Sequence, residues 1–319
     1  MMNPSIEILL PTYNGEQFVG ALIDSLMSQT YQNWRLLIRD DGSRDGTARI
    51  VRAYAHKYPD RISAVEDGDG NLGVIRNVQR LLERAASGYV MFCDQDDVWL
   101  PHKIDVTFEK MTALEGAFGQ NTPILVHTDA KVVDADLREI ARSLWRYQKS
   151  DPGKGSTLNR LLLQNVATGC TVMVNKALLK KALPFPDEAM MHDWWLALVA
   201  AAFGRADRVP ESTLLYRQHG KNDTGAKQWN LAIGLRNVTN VPEFLRSLRD
   251  SKKITFRLEQ QSDIFLRRFF DVLSDEGRNM LASFSHLSSR NYLMRRYYML
   301  KYRFFYTDPL RNIGRLLFA

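Results

Sequence analysis

Three carboxylates within four residues, Asp94, Asp96 and Asp97, follow directly on the apolar run Tyr89-Val-Met-Phe-Cys93. An apolar run this short, bounded by Gly88 and then by acids, reads as a buried strand. The acids then stand at its carboxyl end, where open α/β sheets bind ligands. Side chains alternate along an extended chain, so Asp94 and Asp96 are expected on one side and Asp97 on the other. Neighbouring carboxylates repel, and a divalent cation relieves the repulsion. Oxygen ligands suit Mg2+ or Mn2+ better than zinc. The bland alternative is a solvated acidic turn that caps the next helix. Matching acids elsewhere in the chain weigh against it.

Those other acids also stand at the ends of apolar runs. Ile6 to Leu10 is a strand that Pro11 is expected to stop, followed by the turn Thr12-Tyr13-Asn14-Gly15. Trp34 to Ile38 is a second strand, ending in Asp40-Asp41-Gly42-Ser43, and Asp45 caps the helix that follows. Ile62 to Val65 is a third, and Asn71-Leu72-Gly73 leads into a helix with Val74, Val78, Leu81 and Leu82 on one side. Strands and helices alternating at this spacing require crossover connections, hence a mainly parallel sheet. Further on, Pro101 suits a first helical turn, and Ile124 to Val133 is a long strand. Thr171 to Val174 is strand-like, and Trp194 to Phe203 is an apolar helix preceded by His192-Asp193. Leu214 to Tyr216 is a last strand. From about residue 225 the strand signal ends, which divides the chain into 1–224 and a helical 225–319.

The 319 residues carry a net charge of +7. From His286 onward seven basic residues (Arg290, Arg295, Arg296, Lys301, Arg303, Arg311, Arg315) face one acid, Asp308, so +6 of the excess lies in the tail. A near-neutral body argues against nucleic acid as its partner, and the basic tail 286–319 points to an anionic one. Leu293, Tyr297, Leu300 and Phe304 fall on one helical stripe there, flanked by Arg and Lys, so an anionic membrane surface or a packed helical cap are the two readings. Two cysteines make no disulfide framework, and the N-terminus lacks the basic start and apolar length of a signal peptide. Both agree with a cytoplasmic setting.

Gly68-Asp-Gly70-Asn-Leu-Gly73 fits the dinucleotide fingerprint G-x-G-x-x-G, with Asp94 about twenty residues on. It follows the third strand rather than the first, and Asp67 and Asp69 would oppose a pyrophosphate. A Gly-rich turn with a ligand-facing edge at Asn71 and Gly73 is the better reading; a nicotinamide-dependent oxidoreductase is the remote alternative.

Taken in order, Pro11-Thr12-Tyr13-Asn14, Asp40-Asp41-Gly42-Ser43, Asn71-Leu72-Gly73, Asp94-Gln95-Asp96-Asp97, Thr168-Gly169-Cys170, His192-Asp193-Trp194-Trp195 and Tyr216-Arg217-Gln218-His219 resemble a family-2 glycosyltransferase of the GT-A fold over about residues 5–220. The resemblance implies an α/β fold with a Rossmann-like nucleotide-binding half, an acceptor half and a helical C-terminal extension. It implies a nucleotide-sugar donor held by Pro11, Tyr13, Asn14, Asp41 or Asp40, Asn71, Gly73 and Asp94. Mg2+ or Mn2+ would be held by Asp94 and Asp96, with His219 as a further ligand. Arg217 or Lys221 would meet phosphate oxygens. The family places an acidic base at a helix N-terminus, often as Glu-Asp; here the pair is His192-Asp193, so the base role passes to Asp193. An N-cap is its bland reading, and a helix dipole would weaken it as a base. Gly169, His192, Trp194 and Trp195 would face the sugars, with core packing the alternative for one Trp. The implied reaction is one in-line displacement with inversion. A non-catalytic sugar-nucleotide binder would lack these acids.

Within the family, Cys-Asp-Gln-Asp-Asp-Val-Trp, His-Asp-Trp-Trp and Tyr-Arg-Gln-His-Gly resemble bacterial rhamnosyltransferases of O-antigen and other surface polysaccharides. That implies dTDP-L-rhamnose as donor, with UDP-hexoses as rivals. It also implies a lipid-linked or oligosaccharide acceptor at the inner face of the plasma membrane.

Overall fold

The computed structural model describes residues 4–220 and 241–318. Its strands are β1 (Ile6–Thr12), β2 (Trp34–Asp40), β3 (Ile62–Ala64), β4 (Tyr89–Phe92), β5 (Val98–Trp99), β6 (Ile124–Val133), β7 (Glu139–Ala141), β8 (Val172–Asn175) and β9 (Arg205–Arg217). They form one nine-stranded sheet in the order β3-β2-β1-β4-β8-β6-β9-β5, with β7 on β6. β3, β2, β1 and β4 run parallel, as do β6 and β9; β8 runs antiparallel to β4 and β6. The sheet is therefore mixed, with its parallel half at the N-terminus.

Between the parallel strands run α1 (Val19–Met27), α2 (Thr47–Lys57) and α3 (Val74–Arg84). α1 presents Val19, Leu22, Ile23 and Leu26 at helical spacing, all fully buried. Each such side chain contributes about 1.5–3 kcal/mol relative to exposure. β1 turns from β2 on one side to β4 on the other. This is the point of an open sheet where ligands bind. The register aligns the ends there: Leu9 pairs with Phe92, and Thr12 with Asp40.

β1 does not stop at Pro11. Leu9 O accepts Cys93 N on the β4 side, and beyond Leu9 the β4 ladder has ended. Pro11 faces that same side two residues later, so its missing N–H leaves no partner unsatisfied. The Asp94–Asp97 stretch is also not extended. It is a turn in which Asp97 N approaches Asp94 O at 3.3 Å, so the alternation expected for the three acids does not hold.

α4 (Lys103–Phe118) is followed by the short helices α5 (Leu144–Tyr147), α6 (Pro152–Gly155) and α7 (Leu158–Leu161), then α8 (Lys176–Ala182) and α9 (His192–Phe203). α9 is apolar nearly all round and is an interior helix. It ends at Gly204, where a Cβ would fall 1.9 Å from Pro123 O. Only a glycine lets Arg205 turn in to bond Pro123 O and start β9. Among the described residues four helices follow: α10 (Val241–Phe269), α11 (Asp275–Ser285), α12 (Tyr292–Tyr302) and α13 (Pro309–Phe318).

Packing divides the chain into two compact units. The first is Met1–Leu144, Ala167–Phe185 and Met191–Ala226; the second is Trp145–Val166, Pro186–Met190 and Lys227–Ala319. The second is discontinuous. Arg160 Nη1 donates to Phe305 O and Tyr306 O, Asn159 Nδ2 to Tyr302 O, and Met190 N to Gln261 Oε1. Phe284 and Phe304 meet edge to face at 5.0 Å within it.

Candidate active site

The ends of β1 and β2 build one wall. Asn14 stands at φ 49° and is held from both sides: its N–H donates to Ser43 Oγ at 2.8 Å, and its Oδ1 accepts Arg44 N at 2.8 Å. Asp40 accepts from Thr12 Oγ1, Ser43 N and Ser43 Oγ, so it ties the two loops together. Asp41 is buried; Oδ1 accepts Leu72 N and Oδ2 accepts Gly73 N, both at 2.8 Å. Asn71 Nδ2 returns to Asp41 O at 2.9 Å. A carboxylate has about four lone-pair sites, so Oδ2 keeps acceptor capacity beyond Gly73. The ring of Tyr13 is exposed beside these loops.

Beneath this wall lies Arg39, which sequence reasoning missed. It is fully buried and pairs with Asp41 at 2.7 Å and with Asp67 at 2.8 Å. Its Nη2 also donates to Gly70 O at 3.1 Å. The hydrogen bond from Arg39, acting against some desolvation, pulls the Asp67 carboxyl down to about 2. A charged residue inside an apolar strand, one position before two acids, was the available signal. Arg39 explains the Asp67–Gly73 turn: Gly70 O and the Asp67 carboxylate face its guanidinium, and the N–H groups of Leu72 and Gly73 face Asp41. The N–H groups of Asp69, Leu72 and Gly73 are already engaged by carboxylates, which weighs against a dinucleotide site there.

The acidic turn forms the floor. Gln95, also missed, clamps Tyr13: its Oε1 accepts Tyr13 N and its Nε2 donates to Tyr13 O, both at 2.9 Å. The signal was a bridging amide set between two acids. Asp94, Asp97 and Cys170 bring ligand atoms within 4.8 Å of one another. Burial, then the charges of Asp96 and Asp94, pushes the Asp97 carboxyl well above its usual range, and burial does the same to the Cys170 thiol. Asp97 Oδ1 accepts Arg217 N at 3.2 Å.

β5 follows the turn at once and pairs with the end of β9, Trp99 with Leu214 and Val98 with Leu215. This pairing carries the β9 exit onto the acids. His219 Nε2 lies 2.8 Å from Asp96 Oδ2, and its ring stacks on Phe18 at 4.6 Å. Arg217 is buried; Nε donates to Asp96 O at 2.8 Å, Nη1 donates to Ala135 O, and the guanidinium lies over Phe18. Nε and Nη1 hold backbone, so Arg217 braces the acidic turn. Lys221 lies outside the described residues.

Asp193 reaches the same end through β8 and the 3-10 turn Gly169–Thr171. It is not an N-cap: Met191 caps α9, and Asp193 lies in the first turn, its Oδ1 accepting Trp194 N at 2.6 Å. A Cβ on Gly169 would come within 3.3 Å of Asp193 Oδ2 and 3.2 Å of His192 Nε2. Gly169 adjoins Cys170, which joins Asp94 and Asp97. The ring of His192 also lies 5.1 Å from that of Phe92, at the end of β4. Asp193 and the acidic turn thus share one end of the sheet. Burial lowers His192 to about 4, so its imidazole is neutral at neutral pH. Trp194 is half-buried. Trp195 is fully buried with Nε1 donating to Ala182 O at 3.0 Å. That corrects the expectation of a sugar-stacking face for Trp195, which is core.

The profile of Glycosyl transferase family 2 matches residues 7–181, more than half of the chain. This chain belongs to glycosyltransferase family 2. Among its family relatives it is 27% identical over 237 residues to the putative teichuronic acid biosynthesis glycosyltransferase TuaG of Bacillus subtilis, covering 72% of this chain and 84% of that one. It is 28% identical over 191 residues to the UDP-Glc:alpha-D-GlcNAc-diphosphoundecaprenol beta-1,3-glucosyltransferase WfgD of Escherichia coli, covering 59% and 68%. With the dTDP-rhamnosyl transferase RfbG of Shigella flexneri it shares 26% over 230 residues, covering 68% and 74%. The putative glycosyltransferase EpsE of Bacillus subtilis, 33% identical over 102 residues, is matched over 36% of its own length and 32% of this chain. The family fold recurs in solved structures. Staphylococcus aureus TarS 1-349 with UDP-GlcNAc superposes with a TM-score of 0.58 at 16% identity, covering 98% of this chain and 83% of that one. The mannosyltransferase PcManGT of Pyrobaculum calidifontis, solved with GDP-Man and Mn2+, gives 0.51 at 16%, covering 99% and 88%. The GT-A-type sheet of this family-2 chain thus places a candidate acidic metal site at the ligand-binding end.

Proposed function

We propose that this protein moves a sugar from a nucleoside diphosphate donor to a hydroxyl of a saccharide acceptor, with inversion at the anomeric carbon, in the assembly of a bacterial surface polysaccharide such as O-antigen. One observation carries the reading: Gly169-Cys170 joins the Asp94–Asp97 turn to Asp193, so acids remote in sequence meet at one sheet end. Asp41, with Asp40 behind it, accepts from the base; Asn14, Asn71, Gly73 and Tyr13 shape the nucleoside wall. A hard divalent ion, Mg2+ or Mn2+, would be held by Asp94 and Asp96, with His219, which lies 2.8 Å from Asp96, as a further ligand. When bound, such an ion neutralises charge growing on the departing diphosphate.

Asp193 takes the acceptor's hydroxyl proton on its carboxylate. The acceptor oxygen forms its bond to the anomeric carbon as the bond from that carbon to the diphosphate oxygen breaks, and the electron pair leaves with the diphosphate. The neutral His192 beside Asp193 adds no positive charge to weaken this base. Gly169 keeps the space beside Asp193 Oδ2 clear, and Trp194 borders the sugars.

dTDP-L-rhamnose is the donor of this reading, supported by the sequence forms around the three motifs and by the likeness to RfbG. A UDP-hexose is the second reading, supported by the names of WfgD and the TarS complex. The acceptor is lipid-linked or an oligosaccharide, as WfgD's diphosphoundecaprenol acceptor suggests, and the protein works peripherally at the inner face of the plasma membrane. A panel of dTDP-, UDP- and GDP-sugars with purified protein, with and without Mg2+ or Mn2+, tests this. Metal-dependent release of nucleoside diphosphate from one donor, with an inverted product by NMR, is expected. No turnover of any donor in the presence of saccharide acceptors overturns it.

A further inference from the structure

α12 carries an apolar face that the described structure leaves uncovered. Leu293, Tyr297 and Leu300 are 77%, 52% and 59% exposed. At about 100° per residue these three fall within roughly 60° of arc; the exposed Lys301 flanks one edge, and on the other the Arg296 guanidinium lies over the Tyr292 ring. The helix itself is well founded. Asn291 caps it by accepting Met294 N, Arg303 ends it in the left-handed conformation, and Met299 on its inner face is fully buried. Phe304, which the sequence stripe grouped with the other three, turns inward after Arg303 and packs on Phe284. Phe304 therefore packs within the second unit, while Leu293, Tyr297 and Leu300 stay outward.

Charge selects the occupant. Residues 286–319 hold seven basic side chains and one acid, and α12 holds no acid at all. An isologous contact with a second copy would set like charges against each other. Aliphatic side chains beside a tyrosine, edged by cations with long stems, fit the boundary between acyl chains and anionic headgroups. No helix among the described residues is long and apolar enough to cross a membrane. The 11-residue α12 spans only about 16 Å.

We propose that α12 docks on an anionic lipid surface, sinking Leu293, Tyr297 and Leu300 into the interface with Lys301 at headgroup level. This deepens the lipid-linked acceptor reading and rests on it for its purpose, though its test does not. The full chain is floated with vesicles of equal phosphatidylglycerol and phosphatidylcholine, and with phosphatidylcholine alone. Binding to the mixed vesicles that weakens with salt is expected. Leu293→Asp with Leu300→Asp should lower it at least tenfold. Lys301→Gln should lower it about fivefold, the effect of one charge near the surface. Both variants should keep the parent melting temperature and the parent rate of donor turnover. The proposal is overturned by no binding, by equal binding to neutral vesicles, or by variants that bind like the parent. It is equally overturned if light scattering shows a dimer that these variants abolish, since the face then belongs to a second copy. Vesicle binding without turnover of any donor sinks the transfer reading and leaves this one standing.

Discussion

Asp193 and Gly169 make a residue-scale pair whose roles separate by experiment. Asp193→Asn keeps the shape and the Trp194 N–H contact but removes the base. Transfer is expected to fall about 10²–10⁴-fold, with donor affinity by calorimetry unchanged; transfer at the parent rate would disprove the base assignment. Gly169→Ala adds a methyl 3.3 Å from Asp193 Oδ2, tighter than side chains normally accept, so the carboxylate must move by a few tenths of an ångström. That variant should fold with a near-parent melting point and lose kcat while its donor KM holds. Arg39 works differently, since it touches only protein. Arg39→Met strands two acids that are buried or nearly so, and should cost about 3–5 kcal/mol in denaturant unfolding. Asp67 adds a pH signature. Its folded pKa of about 2 lies below the usual carboxylate value of about 3.9. The folded state therefore gains from Asp67 above about pH 4 and loses that gain as pH falls through 2. Arg39→Met should flatten this acid limb of the stability curve.

At the scale of elements, the strands with strong apolar runs were legible, and β6 was found residue for residue. What the sequence could not show depends on partners distant in the chain. β9 was visible only at Leu214–Tyr216, because its first half is partly exposed and charged and exists through pairing with β6. β5 is two residues long and is a strand only because β9 lies beside it. Pro11 misled for the same reason: whether a missing N–H matters depends on which neighbour has ended. The acids after β4 do stand at the end of that strand, but their alternation failed since the chain turns at Asp94. α9 began two residues earlier than its apolar run, which moved Asp193 from cap to first turn. The junction of α9 and β9 gives the test proper to this scale. Gly204→Ala puts a methyl against backbone at Pro123, which cannot rotate away, so β6 and α9 must part. A loss of at least about 1–3 kcal/mol is expected by chemical denaturation. A parent-like midpoint would mean that the junction yields.

For the whole molecule, the change of composition near residue 225 was legible, but how the tail is held was not. The second unit takes in Trp145–Val166 and Pro186–Met190, joined to the later helices by single polar side chains that follow no period. Arg160 and Asn159 reach the carbonyls of 302–306, Thr307 N donates to Gln164 Oε1, and Thr307 Oγ1 accepts Asp151 N. Val166 lies against Gly155, where a Cβ would meet its methyl at 2.5 Å, with Thr307 close by. A chain ended at residue 226 therefore removes the partners of two segments it retains. Each lost buried tether costs about 1 kcal/mol, and each stranded donor more. The shortened protein should be nicked by protease within 145–166 under conditions where the full chain is intact there, and should melt at a lower temperature. If residues 145–166 stay equally resistant in both, the segment is stable without the tail, and the tail is a separable appendage after all.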